Sequence, residues 1–261
     1  MKTGRLLHLD TFSGIAGNMF IGALLDAGLS RRDLTEQLAG LGVPHKLRVT
    51  NVHRGALAAR YVEVVVPGAK PRRRAEVASK QRAKSGGHPH GRHYVEIVKH
   101  LEAADLDPPV RERALAIFEA LGRAEARVHG TRLEDVHFHE VGAVDAIVDV
   151  TAASIGLACL GIDHVTATPV ALGGGTVKTQ HGLLPLPAPA TLELLRGVPT
   201  VPAHVSWETV TPTGAAILRT IVDDYRSLPA MTVDAIGHGA GNDRDGPMPN
   251  VLRAVIGRDS A

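Results

Sequence analysis

Residues 143–160 constrain the fold most. Apolar side chains occur there at helical spacing on most sides, so the helix they form belongs in the middle of the structure. Strand-like runs at 5–11 and 165–172 accompany it, and the whole chain reads as α/β. Aromatic residues are only 3% of the chain, so the interior must be built from Ala, Val, Leu and Ile packed around 28 glycines. The 261 residues fit one large domain or two ordinary ones.

The periodicity predicts two lobes of mixed sheet and helices. Residues 1–68 form an N-terminal α/β lobe, 69–92 a flexible basic and His-bearing linker, and 93–261 a larger α/β lobe. In the first lobe, strand 5–11 leads through a small-residue turn at 13–18 into a helix over 19–27. Ser30 caps the next helix. Residues 46–52 and 57–66 follow as an antiparallel hairpin, with Val62, Val64 and Val66 on one face. The linker lacks useful periodicity and ends in His88, His90 and His93. That tract suits metal scavenging, and equally suits a solvated tether. Helices are expected at 94–104 and 108–128, the second opening on Pro108, and again after Thr211 and Pro212. Residues 237–245 read as a polar, glycine-rich loop before a closing strand at 250–256.

Charge excludes some functions. With 29 basic and 27 acidic side chains there is no global electrostatic case for nucleic acid or an anionic membrane. No apolar run approaches the ~18 residues that span a bilayer, and the N-terminus begins strand-like, so the cytoplasm is the expected compartment. The single cysteine, Cys159, rules out an internal disulfide and a multi-thiolate metal site, and its apolar neighbours predict a small buried packer.

The chemistry concentrates where the central helix begins. His137, His139 and Glu140, followed by Asp145 and Asp149, place two imidazoles and three carboxylates within thirteen residues. Alternation throws His137 and His139 to one side of an extended segment and Phe138 to the other, while Asp145 and Asp149 fall four apart on one helix face. Imidazole with carboxylate suits Zn, Ni, Mn or Fe(II) better than Ca or Mg, and spacing does not choose among them. The same residues also suit an ordinary strand followed by an acidic helix start. Asp10, at the end of the first strand, and His181 are further metal candidates. For an anion, three glycine-bearing stretches offer backbone N–H groups or cations: Ser13, Gly14, Gly17 and Asn18 ahead of a helix; Gly174 and Gly175 with Lys178; and the loop bearing Arg244. Each could equally be a structural turn. The glycines at 173–175 are no P-loop, because the strand, glycine, Lys-Ser/Thr, helix order is missing.

These motifs together resemble the LarC family of nickel insertion proteins. The likeness runs through residues 10–19 and 22–28, the His-bearing linker, 136–150, 173–178, 181–193, 209–214 and 237–253, in order and over nearly the whole chain. The resemblance implies a nickel chelatase, of the lyase class, that places Ni into pyridinium-3,5-bisthiocarboxylic acid mononucleotide to make the nickel pincer cofactor of lactate racemase. It implies a step using CTP with Mn or Mg, carried by a C-terminal domain beyond this chain. Lactate racemase machinery and a second copy of the chain are further expected partners. The family pattern has Gly-Asp-Met where this chain has Gly17, Asn18 and Met19, and its histidine-rich linker is longer than the three histidines here. Two readings from other classes remain: a non-enzymatic carrier of nickel or of the cofactor precursor, and a metal-dependent hydrolase in which the His/Asp cluster activates water.

Overall fold

A computed structural model describes residues 4–67, 92–138, 144–179, 182–244 and 246–259. Its strands are β1 (Arg5–Asp10), β2 (Lys46–Arg54), β3 (Leu57–Val65), β4 (Ile162–Ala167), β5 (Val170–Leu172), β6 (Thr176–Thr179), β7 (Gly182–Pro185), β8 (Thr200–Pro202), β9 (Asp224–Tyr225), β10 (Met231–Ala240) and β11 (Val251–Asp259). Its α-helices are α1 (Gly17–Asp26), α2 (Arg31–Leu38), α3 (Tyr94–Ala103), α4 (Pro108–His129), α5 (Val144–Cys159), α6 (Pro189–Leu194) and α7 (Pro212–Ile221).

The α/β class holds, and the main sheet has seven strands in the order β2-β3-β10-β11-β1-β4-β9. Strands from both expected lobes alternate within it. β1 lies between antiparallel β11 and parallel β4, and β3 meets β10. Instead of two sheets on either side of a linker, residues 5–65 and 162–259 therefore build one sheet over one core. Hydrophobic periodicity within each segment cannot reveal this, because the pairing partners lie up to ~250 residues apart and register is set by tertiary contacts. Of the expected linker, residues 69–91 lie outside the described residues.

Local signals were otherwise well placed. Ser30 accepts from the Asp33 N–H and starts α2; Thr211 accepts from the Gly214 N–H and starts α7, with Pro212 next. β2 and β3 form the hairpin, pairing Lys46 with Val65 through Arg54 with Leu57. α5 is buried along nearly its whole length, as an all-round apolar helix requires, and packs with α1, α2 and α4. Cys159 departs from expectation: at the end of α5 it is exposed, with the Gln37 amide 3.2 Å from its sulfur. The continuous strand expected at 165–172 breaks between β4 and β5 at Thr168 and Pro169, since proline has no N–H for a ladder.

The glycine-rich stretch 237–245 is the largest correction. Gly237 and Gly239 are not loop residues but lie inside β10, directly beneath α1. A Cβ on Gly239 would fall 1.7 Å from the Met19 carbonyl oxygen, and one on Gly237 2.0 Å from that of Ala23. From the helix side, a Cβ on Gly22 would fall 2.4 Å from the Arg60 carbonyl oxygen. Glycines on both surfaces let helix and sheet backbones touch, a spacing no other residue permits.

No helix among the described residues is long and apolar enough to cross a membrane.

Candidate functional site

Three of the motif-bearing stretches converge at the end of β1. The turn after β1 is clamped by the chain ahead of α7: the Ile15 N–H donates to the Thr209 carbonyl at 2.9 Å, and the Thr211 N–H returns to the Ile15 carbonyl at 3.1 Å. Gly14 has φ +79°, and a Cβ there would lie 2.1 Å from the Thr209 oxygen; Gly214 is pressed likewise against Ile15. Buried threonines knit the rest. Thr11 binds Thr168 through its N–H and hydroxyl, and the Thr209 hydroxyl accepts from the Gly173 N–H while donating to the Ala171 carbonyl, both at 2.8 Å. Each hydroxyl satisfies backbone groups left by broken strands.

Asp149 completes this corner. It lies on the second turn of α5 with its carboxylate at the start of α1, where a Cβ on Gly17 would meet its Oδ2 at 2.9 Å. An acid thus already occupies the positive end of α1. The turn bearing Ser13, Gly14 and Gly17 is accordingly filled by protein, with Ser13, Gly14 and Gly17 buried. Asn18 points elsewhere: its amide donates to the Val62 carbonyl of β3 at 3.3 Å. Gly174 differs from these glycines, since nothing lies within 4 Å of where its Cβ would be. Gly175, with φ +93°, is exposed, as is Lys178 on the β6–β7 hairpin. Arg244 is exposed in the turn between β10 and β11; two residues on, a Cβ on Gly246 would lie 3.1 Å from Val205 Cγ1, and the Val205 carbonyl accepts from the Gly174 N–H.

Asp10 is held on the sheet. It pairs with Arg253 directly across β11 in an ion pair, with only 18% of the carboxylate side chain exposed. Two residues earlier His8 is 1% exposed, its Nδ1 2.8 Å from the Thr166 hydroxyl. Burial pushes that imidazole below its ordinary pKa, and Asp10 acts in the opposite sense.

His137 stands where alternation predicts. Phe138 beside it is 1% exposed and meets Phe118 of α4 edge-on at 6.3 Å, while His137 is half-buried on the other side. The last histidine of the 88–93 tract, at the start of the expected larger lobe, joins it. His93 forms an antiparallel bridge with His137, their ring centroids 4.7 Å apart. The signal was its place at the end of a His-x-His-x-x-His tract, which gives no direction. Asp145 lies in the first turn of α5, and its Oδ1 accepts from the Ala146 N–H. His139, Glu140 and His181 lie outside the described residues, and among the described ones no three metal-ligating side chains gather.

The Asn18 contact makes a prediction. Asn18→Asp replaces a donor to the Val62 carbonyl with an acceptor, while an acid in the first turn of α1 is favoured by the helix field. The lost bond costs about 1–3 kcal/mol and the field returns about 0.3–1, so the variant should melt lower. A melting temperature at or above the parent's contradicts the contact.

Comparison with known proteins fits this arrangement of motifs. A family model described as nickel insertion protein matches residues 7–261. A pyridinium-3,5-bisthiocarboxylic acid mononucleotide nickel insertion protein of Geobacillus kaustophilus (strain HTA426) is 42% identical over 98% of this chain and 60% of its own length. A protein of the same description from Thermotoga sp. (strain RQ2) is 42% identical, over 97% of this chain and 61% of its own. A putative nickel insertion protein of Myxococcus xanthus (strain DK1622) is 44% identical over the same shares. No solved structure matches. This chain therefore spans about three-fifths of the length of these relatives. With a match over nearly every residue and several relatives above 40% identity, the chain belongs to the nickel insertion protein family.

Proposed function

We propose that this chain is the nickel-handling part of a nickel chelatase that inserts Ni into pyridinium-3,5-bisthiocarboxylic acid mononucleotide, yielding the nickel pincer cofactor. The observation that carries the reading is the 42% identity over 98% of the chain to a protein described as inserting nickel into that mononucleotide. In the complete activity, a lyase-class step using CTP with Mn or Mg belongs to the further length that the relatives have.

Nickel is the cargo, so its seat must hold it and then let it go. Imidazole and carboxylate ligands bind borderline divalent ions yet exchange, whereas a cage of thiolates would compete with the sulfurs of the receiving molecule. The donors assigned are His137, His139, Glu140 and Asp145, with Asp10 and His181 as further candidates. The Arg253 ion pair favours a supporting role for Asp10, since its charge is already compensated. For the mononucleotide phosphate, Gly174, Gly175 and Lys178 fit better than Ser13, Gly14, Gly17 and Asn18. The former stretch is open and carries a cation, while the latter turn is packed and faces Asp149. Arg244 offers a second cation from an exposed turn.

The alternative reading is a chain that carries nickel or the mononucleotide precursor without itself inserting the metal. A turnover assay with NiCl2 and the mononucleotide separates the two. The chelatase reading expects nickelated product when this chain is combined with CTP, Mn and the separately produced remaining region of a longer relative. It expects little product when either protein is omitted. Product formation by that region alone at the combined rate would reduce this chain to a carrier at most.

A further inference from the structure

We infer that His93 and His137 form a two-imidazole seat for a divalent cation of borderline softness, Ni as cargo. The inference rests on the reading that this chain handles nickel, and adds to it a ligand, His93, that comes from the other side of residues 94–136.

Backbone geometry fixes the pair. The Tyr94 N–H donates to the Val136 carbonyl at 3.0 Å and the Phe138 N–H to the Arg92 carbonyl at 3.1 Å. Those bonds flank His93 and His137 without joining them, which makes them a non-hydrogen-bonded antiparallel pair, the kind whose side chains stand closest. Each strand is anchored. Val136 and Phe138 are 4% and 1% exposed in the core on one side, and on the other the His93 N–H donates to Glu96 Oε2 at 2.9 Å as α3 begins. Main chain and core packing thus hold the two imidazoles side by side, the edge of one ring towards the face of the other.

Their spacing suits a shared ion. Two imidazoles bound cis to one ion at about 2.1 Å, with a ligand angle of about 90–110°, place their ring centroids roughly 4.5–5.2 Å apart. The observed separation is 4.7 Å, with the rings inclined at 64°. His93 is exposed and His137 half-buried, so one flank of the seat faces solvent and leaves coordination positions for water. Asp135 accepts two hydrogen bonds from Arg132, at 2.8 and 3.2 Å, and so is not counted among the ligands of the seat.

The test uses the full chain carrying His88→Ala and His90→Ala, which removes the neighbouring imidazoles of the tract. NiCl2 affinity is measured by competition with a chromophoric chelator, and the number of bound imidazoles by X-ray absorption. Adding His93→Ala, or His93→Asn to guard against misfolding, should weaken Ni binding tenfold or more and remove one imidazole from the Ni shell. His137→Ala should do the same. If the parent binds Ni and the His93 variants bind it with equal affinity and equal imidazole count, the seat is overturned while nickel handling stands. If the parent binds no Ni at all, both fall together.

Discussion

Gly239→Ala should be among the most damaging single changes in this protein, although local propensity gives the opposite sign. Alanine is preferred over glycine in the interior of a strand, so β10 taken alone would gain from the change. Tertiary packing reverses this, because the new methyl would lie 1.7 Å from the Met19 carbonyl oxygen and α1 would have to move off the sheet. Overpacking of a tight interface costs about 1–3 kcal/mol and more where backbone must shift, and here the obstacle is helix backbone. At about 2–4 °C per kcal/mol for a chain of this size, the melting temperature should fall by roughly 10 °C, or folded protein should fail to accumulate. Gly174→Ala is the control: its Cβ enters open space, and the melting temperature should stay within about 2 °C. Equal melting of the two variants would show that α1 does not sit flush on β10.

That glycine pair also marks where sequence reading stops. The Ser30 and Thr211 caps, the β2–β3 hairpin and the buried helix α5 were legible because each is decided by residues a few positions apart. Gly237 and Gly239 read as loop residues, in a plain turn or a backbone that wraps an anion, because glycine signals close approach without saying what approaches. Here it is α1. The single sheet was hidden for the same reason, since β1 completes itself with β11 from the far end of the chain. In the candidate site, the alternation of His137 and Phe138 was legible and the partners were not. Nothing local in the sequence points His93 at His137, Arg253 at Asp10 or Asp149 at Gly17.

Replacing His137 and His139 together with Ala should abolish nickelation, by at least a hundredfold, while sparing the fold. Removing two imidazoles takes away the directional nitrogen donors of the proposed site. The neighbours Val136 and Phe138, which carry the packing, remain in the core. A half-buried imidazole beside them contributes little apolar burial, so the thermal cost should be about 1–2 kcal/mol, or a few degrees. The chemical and thermal effects thus part company. A purely structural pair would give the reverse pattern, with a large fall in melting temperature and unchanged Ni binding and nickelation.

The most direct measurement of the central claim follows the metal itself. The chain is loaded with isotopically labelled Ni, freed of excess metal, and mixed for a single turnover with the mononucleotide, CTP, Mn and the remaining region of a longer relative, in the presence of excess unlabelled Ni. Nickel handling by this chain predicts that the product carries the label in proportion to the nickel loaded. Product that carries only unlabelled nickel, with the label still on the chain, would contradict it.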